Sequence, residues 1–454
     1  MQTQQPFDRS VQSRRVFLRR AAALAGVAAG GSLLVACSQA GSPSSPASAP
    51  SGGATPGTGA SISMRFPTWM YGEAGTGDWW RATLAQFKQE NPGVQVDETN
   101  VPNTQFEDKM LTELSAGTAP DMMSAFTTQV PKLVKLNLLE PLDAYLDKAP
   151  FKDKLVPTQK AATIGGKTYG VVFTASPQGL LVNNALLQQA GLPSPPTTID
   201  ELFSAAKQIK DKTGAFGVGF VNDSNAVLLS YISAMHYVLG NGSDFAKDGQ
   251  VNVTDPKLIE GLGWTKRILD EGLGPKGVDA VTLQKMMGEG KLAMWISGPW
   301  VMTYLKTQAP DTYKTMDFVL PPTPTHAAIT GGGFIVIPKG SKQKDLAWKY
   351  IELTQREEWQ RKWLEDLVQI PSQTIQPSQE FLNANPWVKN MNEMTKYGAG
   401  FGYAVPGLEE INGEYQKIVM DHVQQIWAGS KSPEAAMNEA KPELEALVKA
   451  KVKL

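Results

Sequence analysis

From residue 61 onward, segments of strand pattern alternate with segments of helical period, and this order constrains the fold more than any other feature of the chain. It requires helices laid over sheets. Ile62-Ser63-Met64-Arg65-Phe66 alternates as a strand; Asp78 then precedes Trp80, Leu84 and Phe87 at helical spacing, and Asn91-Pro92-Gly93 ends that helix. Val94 and Val96 begin another strand. Capping signatures mark later helices: Thr198 with Glu201, Asp255-Pro256, Thr354 with Glu357, and Ser432-Pro433. The run Leu320-Pro321-Pro322-Thr323-Pro324 continues neither a helix nor a central strand and is read as a crossover. With 454 residues, 42% of them hydrophobic, the chain is expected to build more than one compact unit.

The first 60 residues stand outside this pattern. Arg14-Arg15, followed by Val16-Phe17-Leu18, precedes an apolar, small-residue stretch from Ala21 to Ala36, the order of a bacterial export signal of twin-arginine type. The stretch ends at Leu34-Val35-Ala36-Cys37, which resembles a lipoprotein cleavage box with Cys37 as the acylated residue. Residues 38–60 are nearly all Ser, Gly, Ala, Pro and Thr; they offer no large side chain to offset ordering entropy and read as a tether. Residues 1–36 hold five Arg and one Asp, so their removal takes the formal charge from −1 to −5. The expectation is a mildly acidic extracytoplasmic protein, held to a membrane through lipid.

Composition excludes several classes. Lys and Arg number 43 against 44 Asp and Glu, which gives no basic excess for a nucleic-acid backbone. One Cys rules out a disulfide framework, and three scattered His give no zinc ribbon. The chain has no Gly-x-Ser-x-Gly elbow, no His-Glu-x-x-His and no phosphate-cradling Gly-x-x-x-x-Gly-Lys. No metal or cofactor is expected.

Four segments in order carry a resemblance. They are Leu114 to Met123 around Gly117 and Pro120-Asp121; Tyr169 to Phe173, continuing through Asn183-Asn184 to Pro193 and Pro196-Thr197; Gly288 to Trp300, ending in Gly298-Pro299-Trp300; and Gly332 to Ser341, running on to Ile351. A weaker fifth spans Gly429 to Ala436. Together they resemble the sugar-binding family of ABC-importer solute-binding proteins that includes maltose-binding protein. The resemblance implies an α/β, two-lobe periplasmic-binding-protein-like fold, with a ligand cleft between lobes joined by crossing strands. It divides the chain into a first lobe of 61–173 and 326–370 and a second of 174–325 and 371–454. It implies a monomer that closes on a saccharide and delivers it to a membrane permease.

A sugar offers apolar faces and a rim of hydroxyls, so its site needs aromatic platforms beside carboxylates, amides or hydroxyls. By the resemblance, Trp300 stacks on sugar from the second lobe, and Gly333 and Phe334 meet it at the inter-lobe crossing. After the first strand, Trp69, Tyr71 and Glu73 combine two faces with a carboxylate. Where family members carry a contact Trp and Asp, this chain has Ala125 and Thr128, which argues against maltodextrin; Phe126, Thr128 and Gln129 offer a face and neutral partners instead. Ser176 and Gln178 replace a family carboxylate, and Tyr403 lies in a glycine-rich loop able to close over ligand. Asp121 is read as a structural turn residue, and Trp79 and Trp80 as divided between core and cleft or solvent. The competing readings are a polyol or glycerophosphodiester receptor of the same transporter class, or a lipid-anchored glycoside hydrolase using a carboxylate pair.

Overall fold

The computed structural model describes residues 61–401, 405–408 and 411–452. The export signal, the tether with Cys37, and Tyr403 lie outside the described residues. Strand β1 (Ile62–Arg65) pairs in parallel with β2 (Val94–Asp97), joined by helix α1 (Thr76–Glu90), and α2 (Asn103–Ser115) leads to β3 (Met123–Phe126). Strands β4 (Val171–Pro177) and β5 (Gly179–Asn183) follow, separated by the single residue Gln178. The next part holds α3 (Ile199–Thr213), β6 (Phe216–Gly219), α4 (Val227–Gly240), α5 (Pro256–Asp270), β7 (Leu292–Ser297), α6 (Trp300–Gln308) and β8 (Met316–Val319). Then come β9 (Ala328–Val336), α7 (Lys344–Thr354), α8 (Glu357–Glu365), β10 (Ile370–Pro371), β11 (Gly398–Phe401), α9 (Asn412–Trp427) and α10 (Pro433–Lys451).

Two sheets organise these elements. One has the order β10-β4-β9-β11, with β3 also on β9; the other has the order β8-β5-β7-β6. β4 and β5 are consecutive in sequence yet belong to different sheets. Around the first sheet packs a core from Met64 to Phe173, completed by Phe334–Ile337 and by Trp348, Trp359 and Trp363. Around the second pack two clusters, from Leu180 to Leu444 and from Ala175 to Met394.

β4 and β9 take part in both cores. Phe173 packs in the first and Ala175 in the second; Ala328 and Ile329 pack in the second, and Phe334 to Ile337 in the first. The two strands pair antiparallel, Gly331 opposite Ser176 and Gly333 opposite Thr174, with a register shift between Gly333 and Phe334 that leaves Phe173 without a partner residue. Core membership therefore changes within strands. A third connection runs through the end of α8, where Trp363 packs in the first core and Leu364, Val368 and Ile370 in the second.

Local signals explain most helix ends. Thr198 and Glu201 form the complete reciprocal capping box, and Asp255 and Ser432 accept the first free N–H groups of α5 and α10. The Thr354–Glu357 box does not form: Arg356 is the cap residue of α8, and the Thr354 hydroxyl bonds Ile351 within α7. The proline-rich run stays with the second core, where Thr325 donates to the Leu239 and Gly240 carbonyls and so caps α4. Trp79 and Trp80 are both core residues, at 6% and 0% exposure; edge-on contacts with Trp359, Trp363 and Phe173 need both rings inside.

The three successive glycines Gly331 to Gly333 lie inside β9. Their missing side chains permit close approach rather than positive φ: a Cβ on Gly333 would fall 2.2 Å from Cζ of Phe173, and one on Gly332 2.6 Å from Cγ2 of Thr158. Gly333→Ala should therefore cost about 1–3 kcal/mol through overpacking at the crossing. Chemical denaturation of the variant beside its parent checks this, and equal midpoints would show that Phe173 swings aside freely.

Candidate functional site

The loop after β1 is fixed at both ends. The Thr68 hydroxyl accepts from Met70 N at 3.1 Å and from the Ser124 hydroxyl at 2.8 Å, tying the loop to β3. Arg81 of α1 donates to the Tyr71 carbonyl at 2.7 Å. Trp69 lies flat against Phe126, with ring centroids 3.9 Å apart at 20°, and meets Phe106 edge-on. It is 7% exposed, while Phe126 is half-buried. The pair is a two-layer platform in which Phe126 is the more exposed ring and Trp69 backs it. The Gln129 side chain accepts from Phe126 N at 2.8 Å, so it holds the turn, and half-buried Thr128 stands at the start of the helix that follows without a side-chain hydrogen bond to it.

Glu73 is half-buried, and burial raises its carboxyl above the ordinary range; its side chain has no hydrogen-bond partner among the described residues. Asn100, missed from sequence, brings its side-chain amide 3.0 Å from where a Gly72 Cβ would stand. A parallel bridge between Thr68 and Asn100 puts it there, a pairing between loops that no local pattern announces.

Tyr71 and Phe334 do not face a cleft. Tyr71 is 4% exposed against Phe66, and burial drives its phenol upward; Phe334 is fully enclosed in the first core. Alternation explains Phe334: in β9 it stands opposite Ala125 and Val172, and its ring takes the core face. Gly333 has Phe173 where a side chain would be. Ser176 is buried at the crossing without a side-chain partner among the described residues. Gln178 is 2% exposed, and its Oε1 lies 2.8 Å from Nε2 of His236 on α4. Asp121 is structural, accepting from Arg65 N at 2.9 Å and Lys342 N at 3.3 Å.

Across from the β1 loop stands α6. Trp300 opens it, half-buried, its ring folded over Gly298 so closely that a Cβ there would lie 1.9 Å from Cζ3. One turn later Thr303 reaches the first lobe, its Cγ2 3.2 Å from a built Gly75 Cβ. Glu73 precedes Gly75 by two residues and Trp300 precedes Thr303 by three, so both stand close in sequence to this inter-lobe contact. The loops 67–75, 126–129 and 297–300 carry no Lys or Arg. Among the described residues, no three His, Cys, Asp or Glu side chains gather as a metal site would need. A separate groove of about 750 Å³, lined by Phe151, Lys154, Arg356 and Gln373 among others, lies where Arg356 meets Glu90 at the far end of α1.

Two cores sharing crossing strands define a two-lobed protein of the binding-protein fold. The chain belongs to the bacterial extracellular solute-binding proteins, whose family model matches residues 82–390. A binding protein of Brucella abortus is 28% identical over 384 residues, 83% of this chain and 91% of its own. The diacetylchitobiose binding protein of Streptomyces coelicolor is 24% identical over 346 residues, 73% of this chain and 78% of that one. The structure of maltose-bound T. maritima MalE3 superposes with a TM-score of 0.77 at 19% identity, over 85% of this chain and 100% of that one, and shares its fold.

The buried His236 carries a pH consequence. Its Nδ1 has no partner among the described residues, and desolvation pulls its pKa down to about 3. The unfolded chain takes up this proton near pH 6.5 and the folded chain does not, so stability is complete above 6.5 and is lost as pH falls toward 3. Asp244 acts in the opposite direction: burial raises it to about 6, so its contribution is lost as pH rises through that value. In denaturant titrations from pH 4 to 7, His236→Gln should lose less stability on acidification than its parent, and Asp244→Asn should gain on its parent as pH rises.

Proposed function

We propose that this protein is the extracytoplasmic receptor of an ABC importer, binding a saccharide between its lobes and passing it unchanged to a membrane permease. The observation that carries the reading is the Trp69–Phe126 platform on one lobe and Trp300 on the other, flanked by the unpaired Glu73 carboxylate. Aromatic faces cover the apolar faces of a sugar ring, and Glu73, Ser176 and Asn100 supply partners for its hydroxyls. The absence of Lys and Arg from these loops favours a neutral saccharide over a phosphorylated one. The diacetylchitobiose and maltose bound by relatives fit the same class.

Anchoring belongs to the same proposal. Export through the Arg14-Arg15 signal and acylation of Cys37 would hold the receptor near its permease on the tether of residues 38–60. Cys37→Ala should move the protein from the membrane pellet to the soluble fraction, with folding unchanged; retention in the pellet would remove the anchor from the scheme.

The solute is found by thermal shift over mono- and oligosaccharides, since a ligand of the folded state raises Tm. It should be recovered chemically intact after long incubation, whereas new reducing ends would make the protein a glycosidase. Phe126→Ala should weaken binding by about thirty-fold, the effect of losing a central aromatic anchor. Its ligand-free stability should change less than that of Trp69→Ala, where a buried ring is lost at about 3–5 kcal/mol.

A further inference from the structure

β6 and β7 run parallel, Gly219 opposite Trp295, so the segments that follow them, 220–226 and 298–300, leave the second sheet at the same end. In open α/β sheets, ligands lie in the crevice outside the carboxyl ends of the strands. Trp300 stands at this end. β6 is an edge strand of its sheet, and residues 273–278 run along its outer side. Gly217 N and Val218 N donate to the Leu273 carbonyl at 3.0 and 3.3 Å, and Asn222 N donates to the Val278 carbonyl at 3.0 Å. A Cβ on Gly274 would lie 2.4 Å from the Val218 carbonyl oxygen, so the two segments touch backbone to backbone.

One side chain closes this pairing. Asn222 is 5% exposed. Its Nδ2 donates to the Phe220 carbonyl at 2.8 Å and to the Pro275 carbonyl at 3.1 Å; its Oδ1 accepts from Gly277 N at 2.5 Å and from Val278 N at 3.4 Å. Both donors and both lone pairs of the amide are therefore used, three of the four on the neighbouring segment. Beyond Asn222 the chain turns. Asp223 Oδ1 accepts from Asn225 N at 3.0 Å, and the Asp223 carbonyl accepts from the Ser230 hydroxyl of α4 at 2.8 Å. On the neighbouring segment Asp279 caps the helix Ala280–Gly288 through Thr282 N. Ser224, Asn225, Lys276 and Gly277 are left exposed above the buried amide.

We propose that Asn222 is a positioning residue of the solute site, clamping loops 220–226 and 275–279 into one ledge beside Trp300 against which the saccharide is held. Apparent affinity counts only the molecules whose loops stand in binding geometry. Losing the clamp lowers that fraction. The ledge rests on the saccharide-receptor reading; the clamp does not.

Amide hydrogen exchange on full-length Cys37→Ser protein reads the clamp without solute. In Asn222→Ala, peptides covering 220–226 and 275–279 should exchange faster, with 67–75 unchanged; parental rates at both segments would overturn the clamp. The solute arm screens glucose, maltose, cellobiose and chitobiose and takes whichever raises the parent Tm most. Bound to the parent, that sugar should slow exchange at both segments. Protection confined to 67–75 and 126–129 would overturn the ledge, and this measurement needs no variant to fold. Asn222→Ala should bind the same sugar about three- to tenfold more weakly, the weight of one net hydrogen bond. Leu444→Ala, which lowers second-lobe stability from a fully buried position on α10, should bind like the parent. Equal losses in the two variants would make Asn222 a contributor to stability alone and overturn its positioning role. If no sugar of the four binds the parent, the saccharide reading fails and the ledge with it, while ligand-free exchange still decides the clamp.

Discussion

The antiparallel pairing of β4 with β9 is the constraint on which the remaining structure rests. Each strand begins in one hydrophobic core and ends in the other, so the register that sets Gly333 against Thr174 and Gly331 against Ser176 fixes both lobes at once. A one-residue slip would turn Phe334 out of the first core and bring glycines where bulk is needed. The short distance from Gly333 to the Phe173 ring locks this register by shape.

The fold was largely legible in the sequence because its signals are local. The alternation of strand and helix patterns, the Thr198–Glu201 box and the Asp255 and Ser432 caps each act within a few residues, and each is found where expected. The Thr354–Glu357 pattern has the right residue types and forms no box, since Thr354 is still inside α7 when the chain breaks at Gln355. Spacing alone does not reveal where a preceding helix ends.

The site was less legible, because facing inward or outward is decided by partners far away in sequence. Trp69 was read as a platform, but Phe126, some sixty residues later, covers its face and becomes the more exposed layer. Tyr71 shares that loop and points at Phe66. Gln178 was expected at the site from the resemblance, and His236 on α4 lies against its Oε1. Asn100 and Thr303 carry no motif; the bridge between Thr68 and Asn100 and the close approach of Thr303 to Gly75 place them.

Trp300 has its ring laid over Gly298, in the space a Cβ would take. A side chain held this way has surrendered its rotamer freedom during folding, not at the moment of encounter. Immobilising a flexible side chain at an interface costs about 0.5–1.5 kcal/mol, and here that cost does not fall on association. The indole is a preorganised wall of fixed tilt. Under the proposed stacking role, selectivity on this side becomes a question of which solute rings match an orientation set in advance by a glycine two residues upstream.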